Sequence, residues 1–295
     1  MGHETIARPG LAHRLHWTVY AARHLRGQAR YSFGPWAEIQ RDQATRVRRM
    51  VDYAYRYVPF YREAIDQLGV TPDCFRSADD LARLPLLGRE ELQRAPERFI
   101  STEQPLESYY ALRSSGSTGR PCTFYHDWQG LFQDIGHSTR AREAVKCALG
   151  RDAGYRKTWI FPPSGAVWAL QHFYGLHMLG LSWLRGARQQ LSVLDTPESN
   201  AKLLASFRPV VILGHGSYLA MLLAHVHKAG GFAHRPKVLQ YTSDALLLTA
   251  RHLITEDLHI PVFSLYETAE AHSLGFECEE HTGLHVNADC IPSES

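Results

Sequence analysis

The sequence predicts a mixed α/β protein in which a helical N-terminal segment precedes sheets with flanking helices. Three observations support this fold class. Apolar residues recur at helical spacing in the first hundred residues. Residues 210–213 (Val-Val-Ile-Leu) form a continuous apolar run, which is typical of a central strand covered on both faces. From residue 210 onwards, predicted strands and helices alternate, as in a parallel sheet with helices on both sides.

The pattern of the N-terminal segment predicts several helices, and the first of them covers residues 11–30. A second runs from Trp36 to about Tyr57 and stops before Pro59, because a residue preceding proline disfavours the helical conformation. A short helix then reaches Leu68. Ser77 has the pattern of a helix start, since an acidic residue follows at the third position. Residues 89–94 predict one more short helix.

In the remaining chain, the sequence pattern predicts alternating strands and helices that are bounded by glycine, proline and polar residues. The predicted strands are residues 109–113, 122–125, 158–161, 191–194, 210–213, 237–241 and 261–265. The predicted helices are residues 127–149, 171–180, 200–206, 217–229 and 245–257.

Composition places limits on the kind of protein. The chain has 295 residues, 44% of them hydrophobic, with a formal net charge of +2, which does not call for a nucleic-acid partner. Residues 1–62 hold eleven arginines against four acidic residues, which suits either a solvated face or a surface for membrane or nucleic acid. Five scattered cysteines without C-x-x-C spacing favour a reducing, cytoplasmic location. No apolar run is long enough to span a membrane.

Residues 114–121 (Ser-Ser-Gly-Ser-Thr-Gly-Arg-Pro) lie between two predicted strands and suit the binding of a polyanion. Their glycines allow close backbone approach, their hydroxyls can donate hydrogen bonds, and Arg120 adds a charged donor. The spacing is not that of the common nucleotide-triphosphatase loop, which requires G-x-x-x-x-G-K-[ST]. A serine- and glycine-rich surface turn is the alternative.

Several motifs, in order along the chain, resemble the phenylacetate–coenzyme A ligase branch of the AMP-forming adenylating enzymes, including its capsular-polysaccharide-type relatives. They are Val58-Pro59-Phe60-Tyr61-Arg62-Glu63, Ser77 to Leu81, Leu84-Pro85, Ser114 to Pro121, Tyr174-Gly175-Leu176-His177, Ser243-Asp244-Ala245-Leu246, Tyr266-Glu267-Thr268-Ala269-Glu270, and Glu277-Cys278 followed by Gly283-Leu284-His285. The resemblance covers nearly the whole chain. It implies the N-terminal part of the large domain of an adenylate-forming enzyme, with layered sheets.

The resemblance implies a two-step reaction. ATP and an aryl or fatty carboxylate give an acyl-adenylate, and a thiol such as coenzyme A then takes the acyl group. The implied nucleotide-binding residues are Ser114, Ser115, Gly116, Ser117, Thr118, Gly119, Ser243, Asp244, Tyr266 and Thr268. Arg120 stands where lysine is usual and would offset developing phosphate charge. Glu270 matches a carboxylate that holds Mg²⁺ in the family, and the alternative is an ordinary exposed acid. For Tyr266, the alternative to nucleotide binding is a core tyrosine.

Some members of this branch hold zinc with a cysteine and a histidine at the positions of Cys278 and His285. A Cys-x-Cys completes that site in the family, whereas Cys290 stands alone here. The resemblance therefore implies at most half of a tetrahedral zinc site in this sequence.

The chain also departs from the family. Glu267 and Ala269 replace the glycine and threonine of the Tyr-Gly-x-Thr-Glu signature. We expect a helical segment over 1–100, an incomplete AMP-binding domain over 101–295, and no lysine-bearing C-terminal domain. Two interpretations follow: a carboxylate-activating ligase that binds small molecules only, or a truncated or divergent non-catalytic nucleotide-binding or assembly protein of the same fold. A basic helical adaptor is a more distant alternative, and the oligomeric state is left open.

Overall fold

In the computed structural model, a helical N-terminal segment precedes two sheets with flanking helices, as the sequence predicts. The structure describes residues 8–114, 121–150, 154–180 and 186–290, without the side chain of Cys147. The chain divides into two units. The first holds residues 1–29 and 132–285, and the second holds residues 30–131 and 286–295.

The α-helices of the described residues are α1 to α11 in chain order. Their bounds are Leu11–Leu25, Gln28–Tyr31, Trp36–Tyr57, Pro59–Gln67, Arg89–Arg94, Trp128–Ser138, Arg140–Leu149, Ala166–His177, Pro197–Phe207, Gly216–Lys228 and Leu248–His252. A π-helical turn, Leu253–Asp257, continues α11. None of the helices in the described ranges is both long and apolar enough to cross a membrane.

The strands form two sheets. Their bounds, β1 to β9, are Tyr110–Arg113, Thr123–His126, Lys157–Phe161, Arg188–Ser192, Val211–His215, Val238–Thr242, Val262–Thr268, His272–Glu277 and Leu284–Val286. Strands β1 and β2 pair antiparallel in the second unit. In the larger sheet the order is β4-β3-β5-β6-β7-β8-β9, parallel from β4 to β7 and antiparallel between β7 and β8. The predicted α/β fold class is confirmed.

The larger sheet carries the main core of the first unit. Ile160, Ile212 and Leu239 lie on one face of neighbouring strands and are fully buried with Leu219 of α10. Burial of this kind stabilises a fold by about 1.5–3 kcal/mol per large apolar side chain. The strands pair in parallel, so their carboxyl ends meet at one edge of the sheet.

The second unit has a smaller core of its own. Val47 and Val51 of α3 pack with Ile65 of α4 and with Phe75. Pro59 is the first residue of α4, where its missing N–H costs nothing. The predicted stop of α3 before Pro59 agrees with the structure, and a new helix begins there at once.

The predicted helix over 127–149 is broken into α6 and α7 at Thr139. The hydroxyls of Ser138 and Thr139 donate to the carbonyl oxygens of Ile135 (2.9 Å) and Gly136 (2.6 Å), which competes with helical hydrogen bonding. Gly136 also lies against α1, because a Cβ there would come within 2.8 Å of the His24 carbonyl oxygen.

Ser77 does not begin an α-helix as predicted. The segment that follows is a 3-10 helix, Asp79–Arg83. The pairing of Ser77 with Asp80 is nevertheless present, since the Asp80 carboxylate accepts the Ser77 backbone N–H at 2.9 Å and the Ser77 hydroxyl at 3.1 Å.

A Thr196→Ala variant is expected to lose about 1 kcal/mol of stability, because Thr196 caps the first turn of α9. Its hydroxyl oxygen accepts the backbone N–H of Ser199 at 3.2 Å, and Pro197 follows as the first helical residue. The free energy of unfolding in urea measures the loss. Thr249→Ala, at an exposed threonine of α11, is the matched control. An equal loss in both variants would contradict a capping role.

Candidate functional site

The predicted phosphate-binding segment connects two paired strands of the second unit. The Ser114 backbone N–H donates to the Cys122 carbonyl oxygen at 2.9 Å, and the Cys122 N–H donates to the Ser114 hydroxyl oxygen at 2.9 Å. The first of these bonds continues the β1–β2 ladder beyond the Arg113–Thr123 pair, and the second adds a side-chain bond across it. Residues Ser115, Gly116, Ser117, Thr118, Gly119 and Arg120 lie outside the described residues. Their phosphate-binding role remains a prediction.

The carboxyl end of β6 turns sharply at Ser243. This residue has φ of +76°, a left-handed conformation that is unfavourable for a residue with a Cβ atom. Such backbone conformations persist where surrounding structure enforces them, and they cluster at binding sites. The Ser243 side chain is exposed at this edge of the sheet.

Asp244, the next residue, is held by the first turn of α10. Its carboxylate accepts the Ser217 backbone N–H at 3.3 Å and also the Ser217 hydroxyl. The Nδ1 atom of His215 lies 3.8 Å from Asp244 Oδ1. Burial lowers the pKa of His215, and Asp244 offsets part of that shift. The contacts fix the position of the 243–244 segment.

The neighbouring strand β7 brings three further predicted residues to the same edge. Tyr266 is 52% exposed, so it is not a core tyrosine and its side chain is accessible to a ligand. The Thr268 hydroxyl accepts the Ala271 backbone N–H at 3.2 Å and closes the turn to β8. Glu270 lies exposed in this turn, where its carboxylate can reach a cation. Because β6 and β7 pair in parallel, Ser243, Asp244, Tyr266, Thr268 and Glu270 gather at one edge.

Cys278 and His285 both lie beside Phe276. Cys278 is buried beside Phe276 and Ala144, and the His285 ring stacks on Phe276 with centroids 5.4 Å apart. Among the described residues, no group of three potential metal ligands includes either of them. Zinc binding there stays a prediction.

Glu277, beside Cys278, holds β7 and β8 together. Its buried carboxylate accepts two hydrogen bonds from Arg251, at 2.6 and 3.4 Å, and one from the Ser264 N–H at 2.8 Å. His281 Nδ1 lies 3.0 Å from Glu277 Oε1. The sequence motif Glu277-Cys278 thus contributes a buried ion pair to the strands that carry the candidate site.

A second group of polar side chains, absent from the sequence-based prediction, lies within the first unit. We call Asp134, Lys157, Gln240, Thr242 and Glu267 the internal polar cluster. Lys157 Nζ donates to Gln240 Oε1 at 3.2 Å. Burial, helped by Arg142 and Arg188, lowers the pKa of Lys157 to about 7, while Glu267 acts in the opposite direction.

The two carboxyl groups of the internal polar cluster have raised pKa values. Burial and the nearby Glu267 raise the pKa of Asp134 to about 7. Burial also raises the pKa of Glu267, and Thr242 and Lys157 offset part of the rise. The one signal in the sequence was Glu267 itself, an acid at a position where the resembled family has glycine. Perturbed titratable groups of this kind often mark functional sites.

A cavity of about 610 Å³ lies elsewhere in the first unit, between α8 and the end of β4. Trp168, His172, Gly175, Gln190 and Ser192 are among its lining residues. None of the predicted site residues that the structure describes lines it, so this cavity and the edge of β6 and β7 are separate features.

The comparisons with known proteins agree with this architecture. No protein-family model matches the chain. The chain is 28% identical over 271 residues to the phenylacetate-coenzyme A ligase of Thermus thermophilus, covering 86% of this chain and 56% of the relative. It is also 28% identical over 259 residues to the phenylacetate-coenzyme A ligase of Escherichia coli K12, covering 83% of this chain and 55% of the relative.

Among solved structures, the chain is similar to 2-hydroxyisobutyryl-CoA ligase in an open conformation, crystallised with 2-HIB-AMP and CoA. The TM-score is 0.65 at 17% sequence identity, over 85% of this chain and 59% of that chain. The chain therefore shares the fold of this acyl-CoA ligase over most of its length. The predicted resemblance to the phenylacetate–coenzyme A ligases is confirmed. The chain spans about half the length of the curated relatives it matches.

Proposed function

We propose that this chain provides the nucleotide- and acid-binding part of an adenylate-forming carboxylate–coenzyme A ligase. The observation that carries the proposal is the edge formed by β6 and β7, where Ser243, Asp244, Tyr266, Thr268 and Glu270 gather. The curated relatives support the reaction class, since they are phenylacetate-coenzyme A ligases.

In the proposed first step, a carboxylate oxygen of an aryl or fatty acid attacks the α-phosphorus of ATP. The bond from that phosphorus to the bridging oxygen breaks, and pyrophosphate leaves with the electron pair. A thiol such as that of coenzyme A then attacks the acyl carbon, and AMP leaves. The first step brings anions together, so bound Mg²⁺ would supply charge neutralisation across the phosphate oxygens.

Each residue at the edge has an assigned part in this proposal. Tyr266 stacks on the adenine, and the backbone around Ser243 and Asp244 contacts the adenosine. The Glu270 carboxylate holds the metal, because hard cations such as Mg²⁺ prefer oxygen ligands. Arg120 and residues 114–119 keep the phosphate-binding role that the sequence resemblance implies, since their glycines, hydroxyls and one positive charge suit a polyanion.

A Glu270→Ala variant is expected to bind Mg²⁺-ATP about tenfold more weakly, a loss of about 1.4 kcal/mol, because the metal loses a protein carboxylate. Isothermal calorimetry of the full chain measures the affinity. Glu279→Ala, at another exposed acid of the same unit, is the matched control and should bind as the parent chain does. Equal affinities for all three proteins would remove Glu270 from the metal site.

Pyrophosphate exchange into ATP, measured with a panel of aryl and fatty acids, tests the activation step itself. Exchange that depends on an added acid supports acyl-adenylate formation by this chain. ATP binding without exchange for any acid would contradict catalysis by this chain and favour a non-catalytic nucleotide-binding protein of the same fold.

A further inference from the structure

Helix α1 carries its large aliphatic side chains on the side that faces water. All of its leucine and valine residues are between 37% and 71% exposed, namely Leu11, Leu15, Val19 and Leu25. An α-helix has 3.6 residues per turn, so these four side chains lie within about one third of its circumference. They form one exposed row, which we call the aliphatic stripe.

The opposite side of α1 is packed against the rest of the first unit by aromatic and polar side chains. The Trp17 ring stacks on Phe132, with ring centroids 4.4 Å apart. The Nε2 atom of His13 lies 3.0 Å from the Nδ1 atom of His177, the last residue of α8. Ala21 lies on the same side and is fully buried.

Hydrogen bonds to the segment after α8 fix the rotation of α1 about its own axis. The Arg14 guanidinium donates twice to the Met178 carbonyl oxygen, at 2.7 and 3.2 Å. The Thr18 hydroxyl oxygen accepts the Leu179 backbone N–H at 2.8 Å. A rotation that buried the aliphatic stripe would break these bonds, so the stripe is held facing outward.

This distribution is the reverse of the usual one for a helix at the surface of a globular protein. Such a helix normally directs its apolar stripe to the core and its polar side chains to water. Single exposed leucines are common and need no explanation, whereas an aligned row of apolar side chains indicates a surface that a partner covers. The aliphatic stripe therefore marks an interaction surface.

The chain around the aliphatic stripe is basic. Residues 5–29 contain four arginines and no acidic residue. Arg23 and Arg26 of this stretch are exposed at the C-terminal end of α1. Helix α8, the neighbour of α1, lies in a second stretch of this kind, because residues 153–194 contain four basic residues and no acidic one. A partner of negative charge is therefore favoured.

An anionic lipid surface matches both the apolar and the charged part of this surface. A helix of this type lies in the plane of the membrane, with its apolar side chains at the boundary of headgroups and acyl chains and its arginines near the anionic headgroups. A second copy of the chain would bring two basic surfaces together, which like-charge repulsion disfavours. A nucleic acid would attract the arginines but would leave the aliphatic stripe without an apolar partner.

We propose that α1 binds this chain to an anionic membrane surface. The aliphatic stripe inserts between the lipid headgroups, and Arg23 and Arg26 contact their phosphates. The helix lies along the membrane and does not cross it. This inference goes beyond the proposed ligase function and does not depend on it.

The test measures co-sedimentation of the full chain with lipid vesicles at low salt. One set of vesicles is phosphatidylcholine alone, and the other is phosphatidylcholine and phosphatidylglycerol in a ratio of about two to one. We expect binding to the mixed vesicles to be at least tenfold tighter, and to weaken as salt screens the charges. Equal binding to both sets, or no binding to the mixed vesicles, would overturn the proposal.

Leu15→Glu tests the aliphatic stripe, because it removes one of its side chains and places a negative charge at the lipid surface. This variant should bind the mixed vesicles at least tenfold more weakly than the parent chain. Leu203→Glu is the matched control, since Leu203 is 43% exposed on α9 of the same unit, and it should bind within about twofold of the parent. An equal loss in both variants would overturn the assignment to α1.

The arginines are tested by a double variant, Arg23→Gln with Arg26→Gln, which should weaken binding to the mixed vesicles severalfold and reduce its dependence on salt. Arg235→Gln, at an exposed arginine of the same unit, is the control and should bind as the parent does. Parent-like binding by the double variant would overturn the role of these arginines. Should Leu15→Glu not fold, the lipid dependence of the parent chain and this double variant decide the question.

Two further measurements identify a different partner. Sedimentation velocity detects a second copy, and fluorescence anisotropy with a labelled DNA duplex detects nucleic-acid binding. A dimer that Leu15→Glu dissociates, in a chain that binds no vesicles, would overturn the proposal in favour of self-association. DNA binding that the double arginine variant abolishes, again without vesicle binding, would overturn it in favour of a nucleic acid.

Discussion

Replacing Arg251 with alanine is expected to destabilise the chain by about 3 kcal/mol, because it removes one partner of a buried ion pair. Arg251 donates twice to Glu277 and once, at 3.2 Å, to the Val262 carbonyl oxygen. Without it, the buried Glu277 carboxylate would keep, among the described residues, the Ser264 N–H and His281 as hydrogen-bond partners. The free energy of unfolding in urea measures the loss.

The consequence should extend to the candidate site, since Glu277 joins β7 to β8 and β7 carries Tyr266 and Thr268. Arg235→Ala, at an exposed arginine, is the matched control and should change stability by less than about 0.5 kcal/mol. A loss in Arg251→Ala no larger than in this control would show that the pair adds nothing to the fold.

The second large effect is expected for Gly216→Ala, at the first residue of α10. A Cβ atom at this position would lie 2.9 Å from the Ala245 carbonyl carbon, the Asp244 carbonyl oxygen and the Leu246 nitrogen. All three are backbone atoms, which cannot move aside as a flexible side chain can. Overpacking of this kind costs about 1–3 kcal/mol, and here it displaces the segment that contains Ser243 and Asp244.

We therefore expect Gly216→Ala to lower the free energy of unfolding by about 2–3 kcal/mol and to weaken ATP binding about tenfold. Gly175→Ala is the matched control. It lies within α8 with no atom near the added methyl group and should raise stability by about 0.5–1 kcal/mol, because alanine favours helix over glycine. Parent-like stability and ATP affinity in Gly216→Ala would contradict the close packing at this helix start.

The local sequence pattern was sufficient to predict the helices and strands whose apolar residues follow a simple periodicity. The apolar run at 210–213 predicted β5, and the stripe of Ile39, Val47 and Val51 predicted α3. The local pattern failed where side chains compete with the backbone for hydrogen bonds. At Thr139, the single helix that was predicted is divided into two helices. The local pattern also missed β8, in which Leu274 and Phe276 are buried and the Glu277 carboxylate accepts the Ser264 N–H of β7.

Part of the candidate site was predictable because its residues belong to local sequence motifs. Tyr266, Thr268 and Glu270 form one continuous motif, and parallel pairing brings Ser243 and Asp244 to the same edge. Lys157 and Gln240 are 83 residues apart in sequence and meet only across the sheet. No local pattern joins residues so distant, so the internal polar cluster required the structure.

The capping of α10 by Asp244 has a consequence for the direction in which a nucleotide can lie. The aligned peptide dipoles of a helix leave about half a positive charge at its N-terminus, which normally attracts phosphate. In this chain the Asp244 carboxylate already occupies that position through Ser217. A phosphate group would meet a negative potential there, whereas neutral adenosine would not. ATP is therefore expected to place its base and ribose beside Asp244 and its triphosphate away from the α10 N-terminus.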